Sequence, residues 1–365
     1  MDRVFNTVLI ISSISATLAL LLSIANKTIA NYGNKKITIN DDKEYIVDGG
    51  DSLLSSLIEN EIFIPSACGG KGSCGYCKVK VDSGGGQTLP TELGYLTNED
   101  REEGVRLSCQ LKVKEDLSIS IPEELFNLKQ YEYTVNFIKD VTSKIKYLSL
   151  NLPEGKEIEF KPGQYIQILV PQYKENDEEI YRAYSIASSP ASKNYIELFI
   201  GYTGGICTTY IHKYLNAKDK VSIIGPFGDF YYRDGSSEMI MVAIGTGLAP
   251  ILSILRYMKE HKIDRKATFY FGARTRDDLY ALEEINELER ALPNFTFVPT
   301  LSRPTEKCDW TGDVGRVTNC LEKYLNNIED KEAYLCGSPR MIDSVVDMLK
   351  ERGMGEEQIY YDKFE

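Results

Sequence analysis

Histidine is nearly absent from this chain. Its 365 residues hold only His212 and His261, too few for a histidine-based metal site or a Ser-His-Asp triad. Cations are in deficit as well: 42 Lys and Arg face 54 Asp and Glu, and the formal charge of −12 excludes nucleic acid as a partner on electrostatic grounds. The eight cysteines lack the spacing of a disulfide framework, since Cys207, Cys308, Cys320 and Cys336 are scattered. That usage fits a reducing compartment. Charge is missing altogether from Val4 to Ala25, a stretch of about 33 Å as a helix at ~1.5 Å per residue, enough to cross a bilayer. A cleaved signal peptide is the alternative, but the apolar run is long for one and no small-x-small cleavage site follows directly. Lys27, Lys35 and Lys36 come just after the span and by the positive-inside rule place the remainder in the cytoplasm.

What is present is concentrated in one glycine-rich loop. From Pro65 to Cys77 the chain reads PSACGGKGSCGYC, placing Cys68, Cys74 and Cys77 in a C-x5-C-x2-C pattern, with Cys109 further on in Leu-Ser-Cys-Gln. Four thiolates can hold a structural zinc or a [2Fe-2S] cluster. Gly69, Gly70, Gly72 and Gly75 favour the cluster, because they let backbone N–H groups point inward at bridging sulfides. Zinc knuckles more often use two C-x2-C pairs, and only one is present.

The length suggests two or three domains. Around the loop, residues 36–125 alternate short strands with one helix, Ser52 to Asn60, for which Asp51 is the expected N-cap. A late strand at Leu107 to Val113 brings Cys109 back, giving a β-grasp arrangement. A linker follows near Glu124 to Gln130. Residues 130–232 read as an antiparallel barrel of short alternating strands. Within it Arg182-Ala183-Tyr184-Ser185 sets a cation, an aromatic ring and a hydroxyl along one strand, a combination suited to a flavin: guanidinium for phosphate, ring for stacking, Ser185 for N5. Strict alternation opposes Ser185 to the other two, so a bulge or the strand end must bring it round. Gly204-Gly205-Ile206-Cys207-Thr208 opens a short helix whose N-terminus suits a pyrophosphate.

Residues 236–365 switch to strand–helix alternation, which implies a parallel sheet with covering helices. Gly245-Thr246-Gly247-Leu-Ala-Pro250 follows the first strand, but Pro250 stands where the usual dinucleotide fingerprint wants Gly or Ala. No acidic residue ends the second strand; Gly272-Ala-Arg274 stands there. A conventional Rossmann dehydrogenase is therefore not supported.

Taken together, Arg182-Ala-Tyr-Ser, Gly225-Pro-Phe-Gly, Gly245-Thr-Gly-Leu-Ala-Pro, Phe271-Gly-Ala-Arg, Cys336-Gly337-Ser-Pro and Phe364 near the C-terminus resemble the ferredoxin–NADP reductase-like flavoenzymes. With the cluster loop and the apolar segment in front, the whole chain resembles the F subunits of sodium-pumping NADH:quinone oxidoreductases. The resemblance implies a bacterial inner-membrane protein with a single-pass transmembrane helix at 4–25, a [2Fe-2S] domain, an FAD barrel and an NAD(P)H domain. It implies that NADH gives a hydride to FAD and that the cluster passes single electrons to a membrane acceptor, through membrane-embedded redox subunits or an acceptor protein. FAD would lie on Arg182, Ala183, Tyr184, Ser185 and Gly204 to Thr208. NADH would lie against Gly245, Thr246, Gly247, Pro250, Arg274, Cys336 and Gly337, with Phe364 over the flavin. Ser185 and Cys336 would tune hydride geometry rather than attack as nucleophiles. Arg274, Arg276 and Arg303 leave NADPH open as coenzyme. Two alternatives stay open: a free-standing membrane-tethered reductase serving an oxygenase, and an anchored ferredoxin-like carrier whose C-terminal half only binds.

Overall fold

The computed structural model describes residues 2–29, 32–305 and 308–364. They form two compact units, Met1–Ser66 with Gly70–Leu128, and Ala67–Gly69 with Lys129–Glu365.

The first unit begins with α1 (Asp2–Ile29). Its described side chains are exposed, among them Phe5, Leu9, Ile10, Ile11, Ile14, Leu18 and Leu20. The side chains of Val4, Val8, residues 21–25 and Lys27, which belong to the span read from the sequence and its flank, lie outside the described ones. Among the described residues no helix is long and apolar enough to cross a membrane.

A hairpin of β1 (Asn34–Ile39) and β2 (Lys43–Asp48) buries Ile37 and Ile39 on one face, as a period of two requires. The helix α2 (Leu53–Glu59) turns Leu53, Leu54 and Leu57 inward. Its N-cap is Ser52, not Asp51. The Asp51 carbonyl accepts the N–H of Val113 at 2.9 Å, so that residue is tied outside the helix, and Ser52 Oγ accepts from Ser55 N at 3.1 Å instead. Then come β3 (Lys78–Ser83), α3 (Asn98–Glu102), β4 (Val105–Leu107) and β5 (Leu117–Ser120). The sheet order is β2-β1-β5-β3-β4, with β1 and β5 parallel. The expected strand through Cys109 ends early. After Leu107 the N–H groups of Gln110 and Leu111 both turn back to the Leu107 carbonyl, at 2.9 and 3.0 Å, while the Ser108 carbonyl accepts from Leu54 N at 3.0 Å. These bonds curl the chain under α2, so Cys109 stands in a turn.

In the second unit β6 (Tyr131–Asp140), β7 (Ile145–Asn151), β8 (Tyr165–Val170), β9 (Ile180–Ser185), β10 (Tyr195–Gly201), α4 (Ile206–Lys213) and β11 (Lys220–Phe227) build the antiparallel part. The order is β10-β7-β6-β11-β8-β9. An antiparallel bridge between Ile186 and Leu198 joins the outer strands, with Ala187 N donating to Glu197 O at 2.8 Å. The sheet thus closes into a barrel.

The rest of the unit alternates β12 (Glu238–Ile244), α5 (Leu248–Glu260), β13 (Ala267–Ala273), α6 (Leu282–Ala291), β14 (Phe295–Leu301), β15 (Asp313–Val314), α7 (Val317–Tyr324), β16 (Lys331–Gly337), α8 (Pro339–Glu351) and β17 (Ile359–Lys363). All pairs in the sheet β15-β14-β13-β12-β16-β17 are parallel. The helix α6 starts only at Leu282. Thr275 N and Oγ1 hold the Asp278 carboxylate at 3.0 and 2.8 Å, which tightens a turn, and Leu279 and Tyr280 dive into the core before Ala281 reverses the chain at φ 55°. Barrel residues Ile145 and Phe199 share one buried cluster with Met241, Leu248 and Tyr280.

Candidate functional site

The cysteine loop of the first unit is shaped by left-handed glycines. Gly70, Gly72 and Gly75 have φ of 85°, 73° and 72°, and two of them also lack room for a side chain. A Cβ on Gly72 would stand 2.5 Å from Gln110 Nε2, and one on Gly75 2.8 Å from the Tyr95 ring. Tyr95 in turn donates its hydroxyl to Ser73 O at 2.9 Å. Cys77 Sγ lies 3.2 Å from Cys109 Sγ, too far for a disulfide, and both are buried. The hydrogen bond to Cys109 and burial push the Cys77 thiol up, and the charge of neighbouring Cys74 adds to this. Cys74 is half-buried, as is Cys68, whose stretch Ala67–Gly69 groups with the second unit. Among the described residues no three His, Cys, Asp or Glu are gathered tightly enough for a single metal ion.

A [2Fe-2S] cluster fits these residues on one further ground. Ser108, next to Cys109, is wholly buried, and its hydroxyl has no hydrogen-bond partner among the described residues. A buried hydroxyl left this way costs on the order of 1–3 kcal/mol, and a cluster held by Cys109 and the other three cysteines would supply a sulfur acceptor there.

In the second unit β9 runs in unbroken register with β8, pairing Ile168 with Arg182, Gln167 with Ala183, Ile166 with Tyr184 and Tyr165 with Ser185. No bulge intervenes. Ser185 is the last residue of the strand and is buried, whereas Arg182, Ala183 and Tyr184 are half-buried. Tyr184 packs on the barrel core, where burial and then Cys207 push its hydroxyl up, against Arg182. Arg182 turns one guanidinium nitrogen to Tyr181 O at 2.7 Å.

The turn before α4 exposes Gly204, at φ 78°, and Gly205. Gly205 caps the helix without a side chain, so the first N–H groups beyond it are open to an anion. Ile206 is half-buried; its carbonyl accepts from the Tyr173 hydroxyl at 2.7 Å. Cys207 faces the barrel core, its Sγ 3.9 Å from Ile180 O, so only its backbone is available to a ligand. Thr208 Oγ1 binds Gly205 O and Thr203 Oγ1, each at 3.1 Å, and fixes the turn.

At the C-terminal ends of β12 and β16, the Gly245–Gly247 turn meets Cys336 and Gly337. A Cβ on Gly247 would stand 2.6 Å from the Cys336 carbonyl carbon and 3.0 Å from Gly337 N. Thr246 touches the barrel: a Cβ on Gly201, the last residue of β10, would be 3.3 Å from Thr246 Cγ2. The Cys336 thiol is fully buried, and burial, with the charge of Asp362 beside it, pushes it up. A neutral thiol is no nucleophile. Phe364 N donates to Gly337 O at 2.8 Å, which anchors the terminal aromatic one residue from Cys336. Pro250 is buried inside α5 rather than presented by the turn. Arg274 is exposed past the end of β13, its carbonyl held by Arg303 N at 2.7 Å. Arg303 lines a hollow of about 510 Å³ with Ser302, Gly315, Arg316, Thr318 and Asn319.

Two contributors escaped motif reading. Tyr280, whose hydroxyl burial pushes up, donates it to Gly245 O at 2.9 Å and steadies the glycine turn. Arg256 binds Glu284 with two nitrogens at 2.6 and 3.0 Å, and Glu197 Oε2 and Ala187 O with a third at 2.6 and 2.9 Å. It ties α6 to the barrel. Neither residue lies in a short motif; the signal for Arg256 is a cation that follows the mostly apolar stretch Leu248 to Leu255 of α5.

Family comparisons agree with this division of labour. The 2Fe-2S iron-sulfur cluster binding domain matches residues 37–114, the oxidoreductase FAD-binding domain 132–232 and the oxidoreductase NAD-binding domain 241–347. Among solved structures, the Amycolatopsis cytochrome P450 reductase GcoB is 27% identical with a TM-score of 0.73, covering 90% of this chain and 98% of its own. The ferredoxin reductase of carbazole 1,9a-dioxygenase, at 23% identity and TM-score 0.69 over 91% of this chain and 98% of its own, shares the fold. The F subunit of the Na(+)-translocating NADH-quinone reductase of Neisseria gonorrhoeae is 39% identical over 95% of this chain and 96% of its own length. That of Idiomarina loihiensis is 36% identical over the full length of both. The chain is an NADH oxidoreductase carrying FAD and a [2Fe-2S] cluster, and it belongs to the family of Na(+)-translocating NADH-quinone reductase F subunits.

Proposed function

We propose that this chain is the electron-entry subunit of a sodium-translocating NADH–quinone reductase, oxidising NADH and passing the electrons to membrane-embedded redox partners. The observation that carries the reading is the meeting of Gly247, Cys336 and Gly337 beside Thr246, which reaches the barrel at Gly201. That meeting puts a dinucleotide turn against the edge of the flavin barrel. When bound, FAD takes both electrons of a hydride, and the [2Fe-2S] cluster hands electrons on singly.

The residues hold and shape what binds. Arg182 neutralises a flavin phosphate, Tyr184 offers its ring to the isoalloxazine, and Ser185, at the strand end, offers its hydroxyl to N5; Ala183 lines the same strand. The N–H groups of Gly204 to Thr208 receive the pyrophosphate. Gly245, Thr246 and Gly247 form the floor for the nicotinamide dinucleotide with Cys336 and Gly337, while Pro250 braces the turn from within α5 and Arg274 meets the adenosine end. The buried Cys336 stays a neutral thiol beside the nicotinamide, and Phe364 covers the flavin ring. Cys68, Cys74, Cys77 and Cys109 ligate the cluster. The working boundaries are 36–125 for the cluster domain, 130–232 for the FAD barrel and 236–365 for the NADH domain.

The N-terminal segment 4–25 is the membrane anchor in this reading, crossing a bacterial inner membrane once and leaving the body in the cytoplasm. It is supported by a charge-free run of bilayer length and the lysines after it. The full-length protein in detergent tests the function: NADH should bleach a flavin absorbance band and then a cluster band. A protein that purifies with neither band, or whose bands NADH leaves unchanged, overturns it. An NADPH rate equal to the NADH rate would overturn the choice of coenzyme alone.

A further inference from the structure

The turn that presents Cys109 also presents Gln110. Its side-chain amide nitrogen lies 3.7 Å from Cys109 Sγ, within reach of an N–H···S bond. The same amide lies across the glycine loop, where a Cβ on Gly72 would stand 2.5 Å from Nε2 and 2.8 Å from Cδ. Gly72 is left-handed at φ 73°, so both conformation and space at that position are cut to fit the amide. The backbone of Gln110 is fixed as well, its N–H held by Leu107 O at 2.9 Å. A half-buried amide with a fixed stem, wedged against a glycine and aimed at a thiol sulfur, is more than loop filling. A thiolate can only accept, so the nitrogen, not the oxygen, faces it.

We infer that Gln110 sets the reduction potential of the cluster, by donating an amide hydrogen to the sulfur of Cys109. The inference rests on the proposed reading of Cys109 as a cluster ligand. Reduction adds negative charge that spreads onto the ligand sulfurs, and a donor to one of them stabilises the reduced form more than the oxidised one. Gln110 is therefore a positioning and tuning residue for a partner that exchanges one electron at a time. Taking the donor away makes the cluster harder to reduce.

The experiment is EPR of the reduced cluster in the full-length protein, poised at a series of ambient potentials, together with iron content per chain. Gln110→Leu removes the donor. Gln110→Glu keeps the shape against Gly72 but puts an anionic oxygen where the amide nitrogen was. With iron content unchanged, the Leu variant should show about a tenfold lower ratio of reduced to oxidised cluster at fixed potential, 59 mV for one electron, and the Glu variant a larger drop. A variant that retains full iron and the wild-type midpoint overturns the inference. If the Leu variant loses iron, the Glu variant decides. If both lose it, Gln110 holds the loop rather than tuning the cluster, and the inference is wrong. Failure of the underlying reading looks different: the wild type gives no cluster signal, or Cys109→Ala keeps the wild-type signal.

Discussion

Gly247 and Cys336 come from different strand ends, yet a Cβ on Gly247 would stand 2.6 Å from the Cys336 carbonyl carbon. The constraint is purely one of space, because Gly247 has φ −59°, which any residue adopts. Gly245, two residues earlier, presents the reverse case: φ is 56° and nothing lies within 4 Å of its missing side chain. The two glycines of one motif are needed for different reasons.

Gly247→Ala should therefore push the turn away from Cys336, since backbone atoms cannot yield cheaply. The expected outcome is a rise in the KM for NADH of tenfold or more, about 1.4 kcal/mol, with FAD content unchanged. Gly245→Ala should cost stability of the turn instead, on the order of 1 kcal/mol. Steady-state kinetics beside flavin quantitation separates the two.

Much of this was readable in advance where local chemistry decides it. Strand–helix alternation announced the parallel sheet, and the glycines around Cys74 and Cys77 marked a loop without room for side chains, as holds at Gly72 and Gly75. Ser185 does stand at the end of β9, in unbroken register with Tyr165. What stayed hidden depends on long-range partners. Cys109 sits in a turn because Ser108 O is claimed by Leu54 N in α2, and no window around Cys109 carries that information. The role of Arg256 is hidden for the same reason, since its carboxylates are 59 and 28 residues away in sequence.

That arginine makes the next prediction. Burial works against its charge, and Glu284 and Glu197 outweigh burial and hold it cationic. Arg256→Met leaves two carboxylates without the cation they share, Glu197 mostly buried and Glu284 more than a third exposed, which costs about 1–3 kcal/mol. FAD should be released at a clearly lower temperature, read by the rise of flavin fluorescence on heating. Adding Glu197→Gln to Arg256→Met should recover part of the loss, because residues in one network do not add.

In the first unit Glu92 is fully buried against Arg106, with their closest atoms 2.7 Å apart. It also accepts the N–H groups of Leu89 and Leu107 at 2.8 and 2.9 Å. Burial alone raises its carboxyl, but the Arg106 guanidinium and these two N–H groups outweigh it and hold the group below the usual range. A depressed carboxylate stabilises the fold fully above its unfolded pKa of about 4.3 and loses that contribution as pH falls through the lower, folded value. Glu92→Gln should lower the urea midpoint for loss of cluster absorbance at pH 7. The gap between wild type and variant should shrink as pH drops below about 4. A gap that stays constant with pH would mean the ion pair is not its source.

Cys77 offers the sharpest separation of the two halves of the reaction. It is buried 3.2 Å from Cys109 in the first unit, whereas Arg182, Tyr184, Ser185 and the Gly245–Gly247 turn all belong to the second. Cys77 packs in the core of the first unit, whereas Tyr184 and Cys207 pack in one core of the second and Cys336 in another. Cys77→Ala should consequently abolish the cluster's EPR signal and lower reduction of a quinone or one-electron acceptor protein by at least about a hundredfold, roughly 2.7 kcal/mol in apparent barrier. The rate at which NADH bleaches the flavin band in a single turnover should stay within about twofold of wild type, a change of only ~0.4 kcal/mol. If flavin bleaching falls in step with acceptor reduction, the cluster unit is needed for NADH oxidation itself, and the division of roles drawn between the two units is wrong.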